Sequence, residues 1–183
     1  MTMLQAKPIA IVGGSHTFEE APFDNLSVDI LAFNGRGRFY PRVTVVMDIH
    51  SKERQAQDEG RLEWLQNASI PIYTDRVRED IPTSIVYPYK EAFALTEHML
   101  HRGERLKYFT SSFAWAIALA ILQERPKIEI YGIEMTATLE YKKQRSCFAF
   151  WTGFAGGRGI DIEINCADKI FRRPLYWDKE NYS

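Results

Sequence analysis

Short runs of β-branched and apolar residues alternate with longer stretches of helical character along almost the whole chain. Pro8–Val12 (PIAIV) closes on Gly13-Gly14-Ser15, and Val28–Phe33 (VDILAF) closes on Asn34-Gly35. Val43–Ile49 (VTVVMDI) contains Asp48 and is followed by His50. Lys127–Tyr131 (KIEIY) ends at Gly132, and Ile160–Ile164 (IDIEI) at Asn165. Runs of this length, bounded by turn residues, read as strands. The first three are apolar nearly throughout rather than alternating. A strand of that kind is buried on both faces, which requires a sheet with cover on each side.

Helices are expected between them. Ser51–Asn67 reads as a surface helix and Tyr89–Arg102 as a second. Ser111–Glu124 (SSFAWAIALAILQE) is apolar on nearly every side, so it reads as a buried helix with Ser111 or Ser112 as N-cap. Glu140–Gly156 is the last, ended by Gly156-Gly157. Ile70–Pro88, with three prolines, reads as an irregular connection holding one short strand, Pro71–Thr74. Alternating strands and helices predict an α/β, Rossmann-like domain: a mostly parallel, doubly wound sheet flanked by helices. It is expected to span 1–168, with a C-terminal tail at 169–183.

The remaining arithmetic excludes several classes. In 183 residues, 23 Lys plus Arg face 24 Asp plus Glu, a net charge of −1. General nucleic-acid binding needs a basic surface that this balance does not supply. No apolar run reaches the roughly 18–20 residues of a membrane span. The N-terminus lacks the charged-then-apolar order of a signal peptide, and two cysteines, Cys147 and Cys166, form no disulfide framework or zinc motif. A cytoplasmic protein with reduced thiols is expected. Homo-oligomerisation and the identity of any cofactor are open, and no metal site is indicated.

In doubly wound sheets, ligands bind beyond the carboxyl ends of the strands, where strand order reverses. The residues expected there include Gly13, Gly14, Ser15, Asn34, Asp48, His50, Gly132, Glu134 and Met135. Glycines after the first strand let backbone amides approach a phosphate, although neither a dinucleotide fingerprint nor a Walker A loop is present. Thr110, Ser111 and Ser112 put three hydroxyls at a helix start, suited to an anion or simply to capping. Asp48 and His50, two apart in a strand, share a face and suit acid–base work or loop anchoring. Glu140 and Gln144, like Tyr141 and Arg145, are spaced to share a helix face, and Arg145 suits a phosphate or carboxylate clamp. Gly156-Gly157-Arg158-Gly159 is explained as a helix stop except for Arg158, which a turn does not require. Trp115 and Trp151 fit the core.

The ordered set IAIVGGS, VDILAFNG, YFTSSFAWAIALAI, IEIYGIEM, EYKKQR and FWTGFAGGRGIDIEI resembles a family of small Rossmann-like proteins encoded by bacteriophages and prophages. That family is distantly similar to archaeal-type 6-hydroxymethylpterin diphosphokinases and sialyltransferase-like enzymes. The convergence of polar residues at the strand ends suits a nucleotide or other phosphate-bearing small molecule, in a transferase or, alternatively, in a non-catalytic nucleotide-sequestering protein; the remaining alternative is a phage structural or assembly protein with no open pocket. The family pattern falls on Gly13, Ser15, Asn34, His50, Thr110, Ser111, Ser112, Gly132, Glu134, Glu140, Tyr141, Gln144, Arg145 and Arg158. On the nucleotide reading, Gly13, Gly14, Ser15, Asn34, Thr110, Ser111, Ser112, Glu140, Gln144, Arg145 and Arg158 are expected to bind the ligand, and His50 and Glu134 are the catalytic candidates. Two positions depart from the family pattern. Gly14 stands where Pro is frequent, and Glu134 stands where Asp is frequent.

Overall fold

The computed structural model describes residues 6–134 and 139–165, with the side chains of 139–143 outside the description. Nine strands are present among them: β1 Ile9–Val12, β2 Asp29–Phe33, β3 Val45–Met47, β4 Ile72–Thr74, β5 Ser84–Val86, β6 Leu100–His101, β7 Glu104–Arg105, β8 Lys127–Tyr131 and β9 Asp161–Asn165. Five α-helices accompany them: α1 Lys52–Ala56, α2 Arg61–Asn67, α3 Tyr89–Ala94, α4 Ser112–Leu122 and α5 Leu139–Gly157.

Seven strands form one parallel sheet in the order β5-β4-β3-β2-β1-β8-β9. The chain starts in the middle and builds outward to β5. It then returns to lay β8 on the other side of β1, so strand order reverses between β1 and β8. The apolar strands are covered on both faces, as their composition predicts. Ile9 and Ile11 of β1 join Leu31, Met47, Ile128 and Ile130 beneath α3, α4 and α5. Ala10 and Val12 point the other way, onto Phe23, Val28 and Tyr131. Farther along that second face, Leu65 of α2 packs with Val46, Ile72 and Ile81.

Several boundaries differ from the sequence expectation, for local reasons. The β1–β2 and β2–β3 crossovers carry only 3-10 turns, His16–Glu20 and Asn34–Phe39, where glycines and prolines interrupt helical periodicity. Ser51–Asn67 is two helices, broken at Gly60, whose φ of 73° is left-handed. The expected helix Tyr89–Arg102 stops at Ala94, and the β6–β7 hairpin follows. Its turn residues Arg102 and Gly103 have φ of 52° and 83°, the geometry that matches strand twist. Ile70–Pro88 holds two strands rather than one. The second, β5, is an edge strand with Ile85 and Val86 exposed, so it lacks a buried signature.

Candidate functional site

The carboxyl ends of β1 and β8 meet at the reversal of strand order. Gly13 and Gly132 pack there backbone to backbone. A Cβ on Gly13 would lie 2.4 Å from the Gly132 carbonyl oxygen, and one on Gly132 would lie 2.5 Å from the Gly13 oxygen. Gly132 also has a left-handed φ of 67°, which excludes a side chain on a second ground.

The two loops are stitched together. The Gly13 amide donates to the Tyr131 carbonyl and the Ser15 amide to the Gly132 carbonyl, both at 2.9 Å. The Gly132 amide donates to Thr17 Oγ1 at 3.0 Å. His16 Nδ1 lies 2.8 Å from Glu134 Oε1. The Tyr40 hydroxyl donates to the Gly13 carbonyl, and burial outweighs the nearby Arg36 charge to push its pKa up to about 12.

This stitching changes the roles expected of the first loop. The amides of Gly13 and Ser15, expected to approach a phosphate, are spent on β8 and its loop. Gly13 is buried and acts through close packing. The Gly14 amide has no partner among the described residues, and Gly14 is exposed. Ser15 Oγ is buried without a hydrogen-bond partner. So is Oδ1 of Asn34, the residue that ends β2 in a left-handed conformation with φ of 53°. Two unmatched buried polar atoms at one strand edge call for an explanation, since such groups are normally satisfied.

The start of α4 reaches the same place. Phe113 Cζ is 2.9 Å from where a Gly13 Cβ would stand, and the Phe113 ring lies 4.5 Å from that of Phe33 at the end of β2. Ser111 is the N-cap, its Oγ accepting from the Ala114 amide at 3.4 Å. Ser112 is the first helical residue, and Thr110 is exposed ahead of it. The segment leading in is pinned to α5: Trp151 Nε1 donates to the Tyr108 carbonyl at 2.6 Å, and the Thr110 amide to Cys147 Sγ at 3.4 Å. Cys147 is thus a packed structural thiol, and Trp151, fully buried, is core as expected.

His50 sits apart, two strands from β1, which is about 10 Å at the usual strand spacing. Its Nδ1 is 3.4 Å from Asp48 Oδ1 and 3.3 Å from an Arg61 nitrogen. Asp48 is wholly buried and accepts two bonds from Arg61, at 2.9 and 2.7 Å. Burial raises the Asp48 pKa, but hydrogen bonds from His50 and Arg61 and the Arg61 charge outweigh it, leaving a net lowering. The expected Asp48–His50 pairing is present, and Arg61 makes it a loop-anchoring cluster.

Arg158 is separated from the other candidates. It follows α5 at the amino edge of the sheet, exposed, with its guanidinium 5.3 Å above the Phe154 ring. Two clefts of about 480 Å³ open at that edge, lined by Leu95, Leu122, Arg125 and Arg158 among others. They face the carboxyl termini of α4 and α5, where carbonyl groups present partial negative charge and disfavour anions. Arg158 thus lies at the opposite edge of the sheet from the strand ends where the sequence reading placed it. Arg145 and Gln144, half-buried, lie near the start of α5 and so at the carboxyl edge. The side chains of Glu140 and Tyr141, together with Met135, Cys166 and the tail 169–183, lie outside the described residues.

Two residues beside these loops were not singled out by the sequence reading. His16 follows the glycine loop and meets Glu134, a contact across 118 positions that no local pattern signals. Arg36 follows Asn34, and its Nε lies 3.1 Å from where a Gly14 Cβ would be. Among the described residues, no group of three or more His, Cys, Asp or Glu is placed to hold a metal ion, and no helix is long and apolar enough to cross a membrane.

No family model matches the chain, and no curated protein matches it. Solved structures do. Sialyltransferase CST-II in complex with a trisaccharide acceptor and CMP superposes at a TM-score of 0.56 with 14% identity, over 89% of this chain and 82% of that one. CstII from Campylobacter jejuni with the substrate analogue cytidine-5'-monophosphate gives 0.54 and 14%, over 89% and 81%. The complex with CMP-3FNeuAc gives 0.55 and 14%, over 90% and 82%. The chain thus shares the α/β, Rossmann-like fold of a sialyltransferase.

Proposed function

We propose that this chain binds a nucleotide at the carboxyl ends of β1, β2 and β8 and acts as a transferase on a nucleotide-activated donor. The observation that carries the reading is the pair of buried, unmatched oxygens, Ser15 Oγ and Asn34 Oδ1, beside the free Gly14 amide at the reversal of strand order. The hydroxyl offers a donor to a phosphate, and the Asn34 oxygen an acceptor for a ribose hydroxyl or base amino group. The start of α4 at Thr110–Ser112 adds hydroxyls and the positive end of a helix. Structures of similar fold are complexes with CMP or a CMP derivative, which supports a nucleotide over other phosphate-bearing ligands.

Transfer from such a donor to a hydroxyl needs a proton acceptor. Glu134 is the acid–base candidate nearest the site, with His16 held against it. His50, clamped by Asp48 and Arg61 on the flank, suits ligand positioning better than proton transfer. Arg145 at the start of α5 is the second cation at the carboxyl edge. The sequence resemblance to phage-encoded proteins fits action in the cytoplasm of a bacterial host.

The test is calorimetry and thermal shift with nucleoside monophosphates and nucleotide sugars, followed by recovery of the ligand. A specific ligand at a hundredfold its Kd adds about 2.7 kcal/mol of stability. Turnover of a nucleotide sugar supports the transferase. Recovery of the bound nucleotide unchanged, with every acceptor class supplied, shifts the reading to a nucleotide-sequestering protein. No stabilisation by any nucleotide removes both.

A further inference from the structure

Most arginines of the described structure are already engaged. Arg38 is held by Asp58, Arg61 by Asp48, Arg78 by Asp80 and Arg125 by Asp29. Arg42 caps a set of backbone carbonyls. Arg36 differs. It is exposed and, among the described residues, makes no hydrogen bond or ion pair, yet it is not directed away from the protein. Its guanidinium lies against Gly14, with Nε, Cζ and Nη2 at 3.1, 3.4 and 3.6 Å from the place a Cβ would occupy. The missing side chain at position 14 is what seats it. Asp58, an acidic group near enough for the Arg36 charge to act on it, is taken by Arg38 at 2.8 Å.

Three unclaimed donors therefore stand together: the Arg36 guanidinium, the Gly14 amide and the buried Ser15 hydroxyl. One cation, one amide and one hydroxyl form a complementary set for a phosphoryl group, with the guanidinium supplying the charge. We propose that Arg36, seated by Gly14, is the residue that binds the ligand's phosphate and gives this site its preference for nucleotides over nucleosides. The proposal rests on the nucleotide reading above and assigns its anion selectivity to a residue from the β2–β3 crossover.

The experiment is calorimetric titration of the four ribonucleoside 5'-monophosphates and their nucleosides into wild type, Arg36→Gln, Arg36→Lys and Gly14→Ala. Thermal melts check folding, which an exposed, unpaired Arg36 leaves unchanged. Arg36→Gln is expected to weaken the best monophosphate by about 10- to 100-fold, the range for a lost charge-assisted hydrogen bond, while the nucleoside holds within about twofold. Arg36→Lys recovers part of the loss, and Gly14→Ala reproduces part of it by displacing the guanidinium. If Arg36→Gln binds the monophosphate as wild type does, or loses nucleotide and nucleoside equally, the assignment of Arg36 is overturned and the nucleotide site stands. If wild type binds none of the four monophosphates, the proposal and the reading beneath it both fall.

Discussion

Substituting Gly13 by alanine puts the packing of the strand-order reversal to a direct test. The new methyl would lie 2.4 Å from the Gly132 carbonyl oxygen and 2.9 Å from Phe113 Cζ, against an ordinary contact of 3.4 Å or more. The backbone must open by about 1 Å, and the obstacle is main chain rather than a flexible side chain. Overpacking of this kind costs about 1–3 kcal/mol, and a rigid obstacle belongs at the upper end. Opening also stretches the two 2.9 Å bonds from Gly13 and Ser15 to the β8 side, worth about 1 kcal/mol between them if one is lost. The expected loss is about 3–4 kcal/mol. With an m-value near 2 kcal/mol/M in urea, the unfolding midpoint falls by about 1.5–2 M. Gly14→Ala is the internal control, since its methyl meets only the movable Arg36 side chain; its cost should stay below about 1 kcal/mol. A Gly13→Ala midpoint within about 0.3 M of wild type would refute the reasoning. So would a Gly14→Ala loss as large as that of Gly13→Ala.

The Asp48 cluster gives a second stability prediction. Asp48→Ala leaves Arg61 buried without its carboxylate and should cost about 3–5 kcal/mol in urea unfolding. The double variant Asp48→Ala/Arg61→Met, which keeps the stem packed on Gly35, should cost less than Asp48→Ala alone. Acid unfolding follows from the same groups. Arg78 holds Asp80 well below the usual carboxylate range, and Asp48 is lowered on balance against its burial. Groups with folded pKa values below the unfolded value of about 3.9 contribute fully above it and lose that contribution as pH falls through the folded pKa. Stability against urea should therefore hold level above about pH 5 and decline below about pH 4, and Asp80→Asn should flatten that decline.

Much of the fold was legible because the strands are so uniformly apolar. Lys127–Tyr131 has the bounds read from sequence, and β1, β2 and β9 shift by a residue. Runs such as IAIV and DILAF cannot be half-exposed, so cover on both faces followed. The short elements were not legible. β5 exposes Ile85 and Val86 as an edge strand, and the β6–β7 hairpin depends on two left-handed turn residues, one of them Arg102. The positions of the candidate residues were legible where they follow a strand in sequence, as Gly14, Ser15 and Asn34 do, or open a helix, as Ser111 does. The position of Arg158 was not legible, because a glycine-flanked arginine has no local sign of which sheet edge it occupies; the length of α5 carries it to the far edge. His16 and Arg36 were missed because their partners, Glu134 and Gly14, come from other crossovers. That convergence is a property of the strand order, which local periodicity does not encode.

The central claim is that the nucleotide site lies at the reversal of strand order and not in the clefts at the amino edge. The most direct test is a titration of a nucleoside monophosphate into isotope-labelled protein, followed by amide chemical shifts. The account predicts the largest shifts at Gly14–His16, Asn34–Arg36, Ser111–Ala114 and Gly132–Glu134. Shifts concentrated instead at Glu91–His98, Leu122–Pro126 and Arg158–Ile160, or none anywhere at saturating nucleotide, would contradict it.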